Sequence, residues 1–179
     1  MSKLHQFIIA IVLITFIVIM RLIPHPANVA PVAAAALFAG VYLSKRWALV
    51  VPLIAMLVSD LAIGTYEPII MLSVYGCFAF SVVLGMWVRR NKNALTVVTA
   101  SLGGSIVFFL VTNFAVWAVG SWYPHTLAGF LTNYTLALPF FRNTLLGDLF
   151  FVGAFFGAAE AVRVFAKLRR AAVTSRVGL

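Results

Sequence analysis

Residues 21–40 read RLIPHPANVAPVAAAALFAG, and the fold turns on how this stretch is read. An arginine, a histidine, an asparagine and three prolines separate two greasy runs, and four alanines follow in succession. Proline fixes φ and lacks a backbone donor, so residues 24–31 cannot be the middle of an uninterrupted helix. At membrane depth, irregular backbone is tolerated only where protein buries it or water reaches it. The segment is therefore expected to be a cavity-lining loop, not a plain connector.

Composition supplies the membrane. Of 179 residues, 64% are hydrophobic and only 9% are charged, with a mean hydropathy of +1.09. Soluble domains carry about 25% charged residues. The chain reads as an all-α integral membrane protein forming one membrane domain over residues 1–179. The apolar run Phe7–Met20 leads directly into Arg21 and Pro24 without a small-residue cleavage site, so it is expected to be a retained first helix. Windows of about 20 apolar residues give six spans at about 6–23, 29–43, 47–63, 68–88, 94–119 and 143–165, with a basic cytoplasmic tail over 166–179. Residues 120–141 contain Pro124, His125, Asn133 and Pro139, and are expected to form a re-entrant or interfacial lid.

Charge sets the expected orientation. With the N-terminus in the cytoplasm, eleven of the thirteen lysines and arginines fall inside and only Arg21 and Arg142 fall outside. That matches the positive-inside rule with both termini cytoplasmic, in a bacterial inner membrane. The net charge of +9 then points to anionic headgroups around the tail, not to nucleic acid.

In this topology the costly residues gather on the outer side. They are His25 and Asn28 in the Pro-rich turn, Asp60 near the end of span three, and Asn113 and Trp117 near the end of span five. Trp122, Tyr123, Asn133 and Tyr134 stand in the lid, and Arg142, Asn143 and Asp148 open span six. Intramembrane ionisable groups are expensive and mark function. Plainer roles compete. Asp60 could pair with Arg21 or Arg142 or cap a helix, Asp148 could pair with Arg142, and the tryptophans could form an aromatic belt. Glu160 is expected to pair with Arg163 at helical spacing. Cys77 is the single cysteine, which excludes an intramolecular disulfide. It reads either as a small hydrophobe or as a soft-metal ligand, so metal binding stays open. Ala30, Ala34, Ala35 and Ala39 form small-xxx-small pairs, as do Gly153 and Gly157. Such spacing lets helices approach closely, inside the chain or against a partner.

HExxH, GxSxG and GxxxxGK[ST] are all absent, so no catalytic or nucleotide-hydrolysing motif is present and an enzyme is not expected. Energy for any active transport would have to come from another chain.

The motifs RLIPHPANVAPVAAAALFAG, LVSDLAIG (57–64), SVYGCFAF (73–80) and YPHTLAGFLTNYTLALPFFRNTLLGDLFF (123–151) resemble those of a six-span bacterial membrane family. That family is related to the substrate-binding S-components of energy-coupling-factor transporters. The resemblance spans nearly the whole chain. It implies a compact six-helix bundle with an outward-facing site for a vitamin or related small molecule, and no intrinsic cofactor. It further implies a coupling subunit docked on Ala30, Ala34, Ala35 and Ala39, with ATPases on separate chains. A related group binds cobalamin through a cysteine; Cys77 is a lone membrane cysteine here, but that group's other motifs are absent, so cobalamin stays a candidate that the resemblance itself does not imply. Two other functions remain open. One is a structural or assembly protein of the inner membrane, and the other is an intramembrane enzyme using Asp60 and Asp148.

Overall fold

The computed structural model describes residues 2–177, with side chains through residue 171. Six helices carry the fold: α1 (Lys3–Leu22), α2 (Val32–Tyr42), α3 (Lys45–Ile63), α4 (Pro68–Val88), α5 (Ala94–Val119) and α6 (Leu127–Val177). A 3-10 turn, Arg89–Asn91, joins α4 to α5. All of them except α2 are long and apolar enough to cross a membrane.

Local chemistry sets the helix ends. Glu67 accepts hydrogen bonds from the amides of Ile69 and Ile70 (2.8 and 3.0 Å), and Pro68 occupies the first position of α4, where no amide is needed. Asn93 and Thr96 form a reciprocal capping box at the start of α5. Gly64 ends α3 at φ 120°, a conformation that suits glycine.

The second span is shorter than expected. Residues 29–43 were expected to be helical, but α2 covers only Val32–Tyr42. The prolines are the reason. Residues 26–29 form a turn closed by the Val29 amide on the Pro26 carbonyl (3.0 Å). Asn28 sits at its third position with φ 63°, as a type II turn requires. Pro31 is the residue at which the helix can begin. Eleven residues rise only about 16 Å, against a hydrocarbon core of about 30 Å.

Short as it is, α2 is the central element and packs against α1, α3, α4, α5 and α6. Ala34, Ala35 and Ala39 are at most 1% exposed. Their small side chains let the surrounding helices close in, so these alanines pack inside the bundle. Ala30 is half-buried. Gly40 and Gly85 form the tightest crossing, where a Cβ on either would lie 2.8 Å from the other's Cα. Arg89 donates from Nε to the Gly40 carbonyl (3.1 Å) and from Nη2 to the carbonyls of Gly40 and Leu43, which satisfies the orphan acceptors at the end of α2.

The stretch expected as a lid is also different. Only residues 120–126 are non-helical. From Leu127 the chain forms one 51-residue helix, about 75 Å long at 1.5 Å per residue. Pro139 lies inside it, which membrane helices tolerate when neighbours satisfy the freed backbone. The polar groups expected on a lid instead fasten α6 to α5. Asn133 donates to the Asn113 carbonyl (2.9 Å) and Tyr134 to the Leu110 carbonyl (2.6 Å). Glu160 and Arg163 pair at 3.3 Å as expected.

Candidate ligand-binding cleft

The short α2 makes the cleft. Measured from the Gly40–Gly85 crossing, α2 extends about 12 Å and α4 about 26 Å. The difference is a space in the bundle with no helix to fill it. The turn at residues 24–31 and the open volume occupy it. The cleft has two chambers, one of about 250 Å³ and one of about 350 Å³. Asn28, Val74, Phe108 and Thr144 line both.

Every helix contributes to the inner chamber. Arg21 comes from the last turn of α1, and His25, Asn28 and Ala30 from the turn. Phe78 and Phe108 supply an apolar wall from α4 and α5, with ring centroids 5.5 Å apart. Thr144 and Asp148 close it from α6. Asn143 donates to the Ala27 carbonyl (3.1 Å), tying the turn to α6. Tyr66 lines the rim from the α3–α4 loop. Partial burial, and then the Asp60 carboxylate, raise its pKa, with Arg21 pulling the other way. It therefore stays a neutral hydroxyl at physiological pH.

The two carboxylates differ sharply. Asp60 is saturated: Arg21 Nη2 donates to Oδ1 at 2.7 Å and the Tyr75 hydroxyl to Oδ2 at 2.9 Å. Arg21 Nη1 also donates to Ser59 Oγ and to the Met56 carbonyl (3.4 Å). Asp60 thus stands behind Arg21 and is not itself in the cavity wall. Asp148 is 5% exposed and shares a 2.6 Å hydrogen bond with Ser105, near the middle of the 26-residue α5. Among the described residues no cation pairs with it. Arg142, the partner expected for it, is exposed, and the helix turns its side chain elsewhere. A second, water-sized cavity of about 10 Å³ adjoins Asp148 and is lined also by Ala33, Ser81 and Ser101. The Ser101 hydroxyl there is buried without a partner.

Asn113 and Trp122 line the outer chamber with Phe109, Phe140 and Phe141. The other aromatic candidates do structural work. Trp117 donates to the Pro124 carbonyl (3.1 Å) and packs edge-on against His125 and Phe130, which holds the 120–126 loop. Tyr123 is half-buried and outside these cavities. Cys77 is buried and lines none of them. No cluster of three metal-ligating side chains occurs among the described residues. Arg21, Tyr66, Phe78, Phe108 and Thr144 belong to the cleft but were not picked out as site residues in the sequence. For Arg21 there was a signal, a cation beside the Pro-rich turn. The two phenylalanines look like any membrane-facing residue in sequence.

Neither the curated proteins nor the solved structures include a significant match to this chain. A family model described as a family of unknown function, DUF6580, matches residues 1–171. The chain therefore belongs to the DUF6580 family.

Proposed function

We propose that this protein is a substrate-binding membrane protein that captures a small organic molecule, of vitamin type, from the outer face of a bacterial inner membrane. The observation that carries the reading is the cleft left by the half-length α2. It combines an aromatic wall with a few convergent polar groups, the usual make-up of a small-molecule site. In this reading α2 and the 24–31 turn together make one crossing, giving six in total with both termini inside. The cleft then faces outward, since the positive-inside bias puts the 43–46 and 89–93 ends in the cytoplasm. The bundle would serve as an S-component-like subunit, with a coupling subunit and ATPases on other chains.

Two chambers of these sizes suit a ligand smaller than a corrin, and the remote Cys77 weighs against cobalt ligation. Asp60, committed to Arg21 and Tyr75, is a poor acid–base partner for Asp148, which weighs against an intramembrane enzyme.

Native mass spectrometry of protein freshly extracted from its own membrane tests the proposal. An adduct of constant small mass that is lost in Asn28→Ala or Thr144→Leu is the expected result. Bare protein that also shows no thermal stabilisation across a vitamin panel, or co-extraction with a cell-wall assembly and no ATPase, would refute it.

A further inference from the structure

We infer that the ligand carries one positive charge on a flat apolar body, and that its cationic group seats on Asp148 at the floor of the inner chamber. This rests on the cleft being a ligand site.

The charges around the chamber decide the sign. Arg21 and Asp60 cancel as a direct pair at 2.7 Å. Arg21 Nη1 and one Nη2 donor are engaged by Ser59, Met56 and Asp60, and Asp60 neutralises the guanidinium, so the pair offers no net positive charge to an anionic ligand. His25 turns Nδ1 to its own backbone, at 2.8 Å from the Ile23 oxygen. That leaves Asp148, with one hydroxyl as its only side-chain hydrogen-bond partner among the described residues. An isolated buried carboxylate is costly unless a partner arrives. The first turn of α2 supplies part of one, since Ala33 and Asp148 line the same two cavities. A helix N-terminus is equivalent to only roughly half a positive charge, so it does not replace a cationic partner.

The rest of the chamber fits the same ligand. Phe78 and Phe108 supply an aromatic wall, and aromatic rings attract a nearby cation through their quadrupole. Met56, Val74 and Tyr66 extend the apolar wall. Ser101 lines the water-sized cavity beside Asp148 and not the chamber itself, and its uncommitted hydroxyl is open to a water or an N–H that reaches that cavity.

Benzamidine, benzamide and benzoate share one skeleton and differ in charge, so they serve as probes. Binding of each to the purified full-length protein is read by ligand-observed NMR. Benzamidine is expected to bind tightest and benzoate weakest. Asp148→Asn is expected to weaken benzamidine by about tenfold to a hundredfold, the range for one charge-assisted hydrogen bond, while benzamide changes little. Ser101→Ala gives a milder loss in the same direction and guards against misfolding of the first variant. Phe108→Leu weakens all the probes together. Equal binding of benzamidine and benzamide, tighter binding of benzoate, an unchanged preference in Asp148→Asn, or no binding of any probe would overturn the inference. A co-extracted ligand that is neutral or anionic would overturn it too while leaving the binding function standing. No ligand of any kind would end both.

Discussion

Cutting the Arg21–Asp60 pair should cost more than cutting it and removing both charges. Asp60 is 2% exposed and Arg21 16%, so their contact is largely shielded from water. Asp60→Ala strands the guanidinium and leaves the Tyr75 hydroxyl without its acceptor. Breaking a buried pair from one side costs about 3–5 kcal/mol. Arg21 keeps Ser59 and Met56 as partners and has some access to water, which places the loss near the lower end, about 3 kcal/mol. In a chain of this size each kcal/mol moves Tm by about 2–4 °C, so Asp60→Ala should unfold about 6–12 °C earlier. The double variant Arg21→Met with Asp60→Leu removes both charges and keeps volume. Such replacements are often neutral, so it should recover most of the loss. Tryptophan fluorescence of the detergent-solubilised protein, heated at one fixed rate, reads both. Asp60→Ala melting within about 1 °C of wild type, or a double variant that melts no later than Asp60→Ala, would refute this view of the cleft wall.

Other consequences follow from the same packing. Gly85→Ala places a methyl against the Leu37 carbonyl and the Gly40 Cα and should destabilise by about 1–3 kcal/mol as an overpacked contact, measured in the same melts. Arg89→Ala uncaps the Gly40 and Leu43 carbonyls and should cost about 1–3 kcal/mol, whereas Arg89→Lys should recover only part of it. Asn28 holds φ 63°, so Asn28→Gly should keep wild-type stability, while Asn28→Val should lose about 1–3 kcal/mol to backbone strain.

The long spans were legible because apolar length is a direct readout of the bilayer. Residues 68–88 and 94–119 match α4 and α5 at both ends, and 47–63 starts two residues after α3 does and ends with it. What hydropathy cannot tell is whether lipid or protein covers an apolar residue. The alanines of α2 therefore suggested a partner's helix, though their own bundle encloses them. Residues 127–141 misled for the opposite reason. Asn133 and Tyr134 look too polar for a span, yet each finds a carbonyl on α5, a compensation visible only in three dimensions. Within the candidate site, His25, Asn28 and Asp148 could be found because rare polar types stand out in a greasy chain. The Phe78–Phe108 wall could not, because Phe occurs 16 times and only packing separates the two in the cleft from the rest.

The proposed binding role requires the half-length α2 to leave the bundle open toward the outer side of the membrane, and thiol accessibility measures this directly. Thr144 lines both chambers, while native Cys77 is buried away from them. A small, charged methanethiosulfonate added outside intact cells should modify Thr144→Cys and spare Cys77, and Lys92→Cys should react only after the membrane is permeabilised. Thr144→Cys that stays inert, or that reacts only with reagent admitted to the cytoplasmic side, would contradict the account.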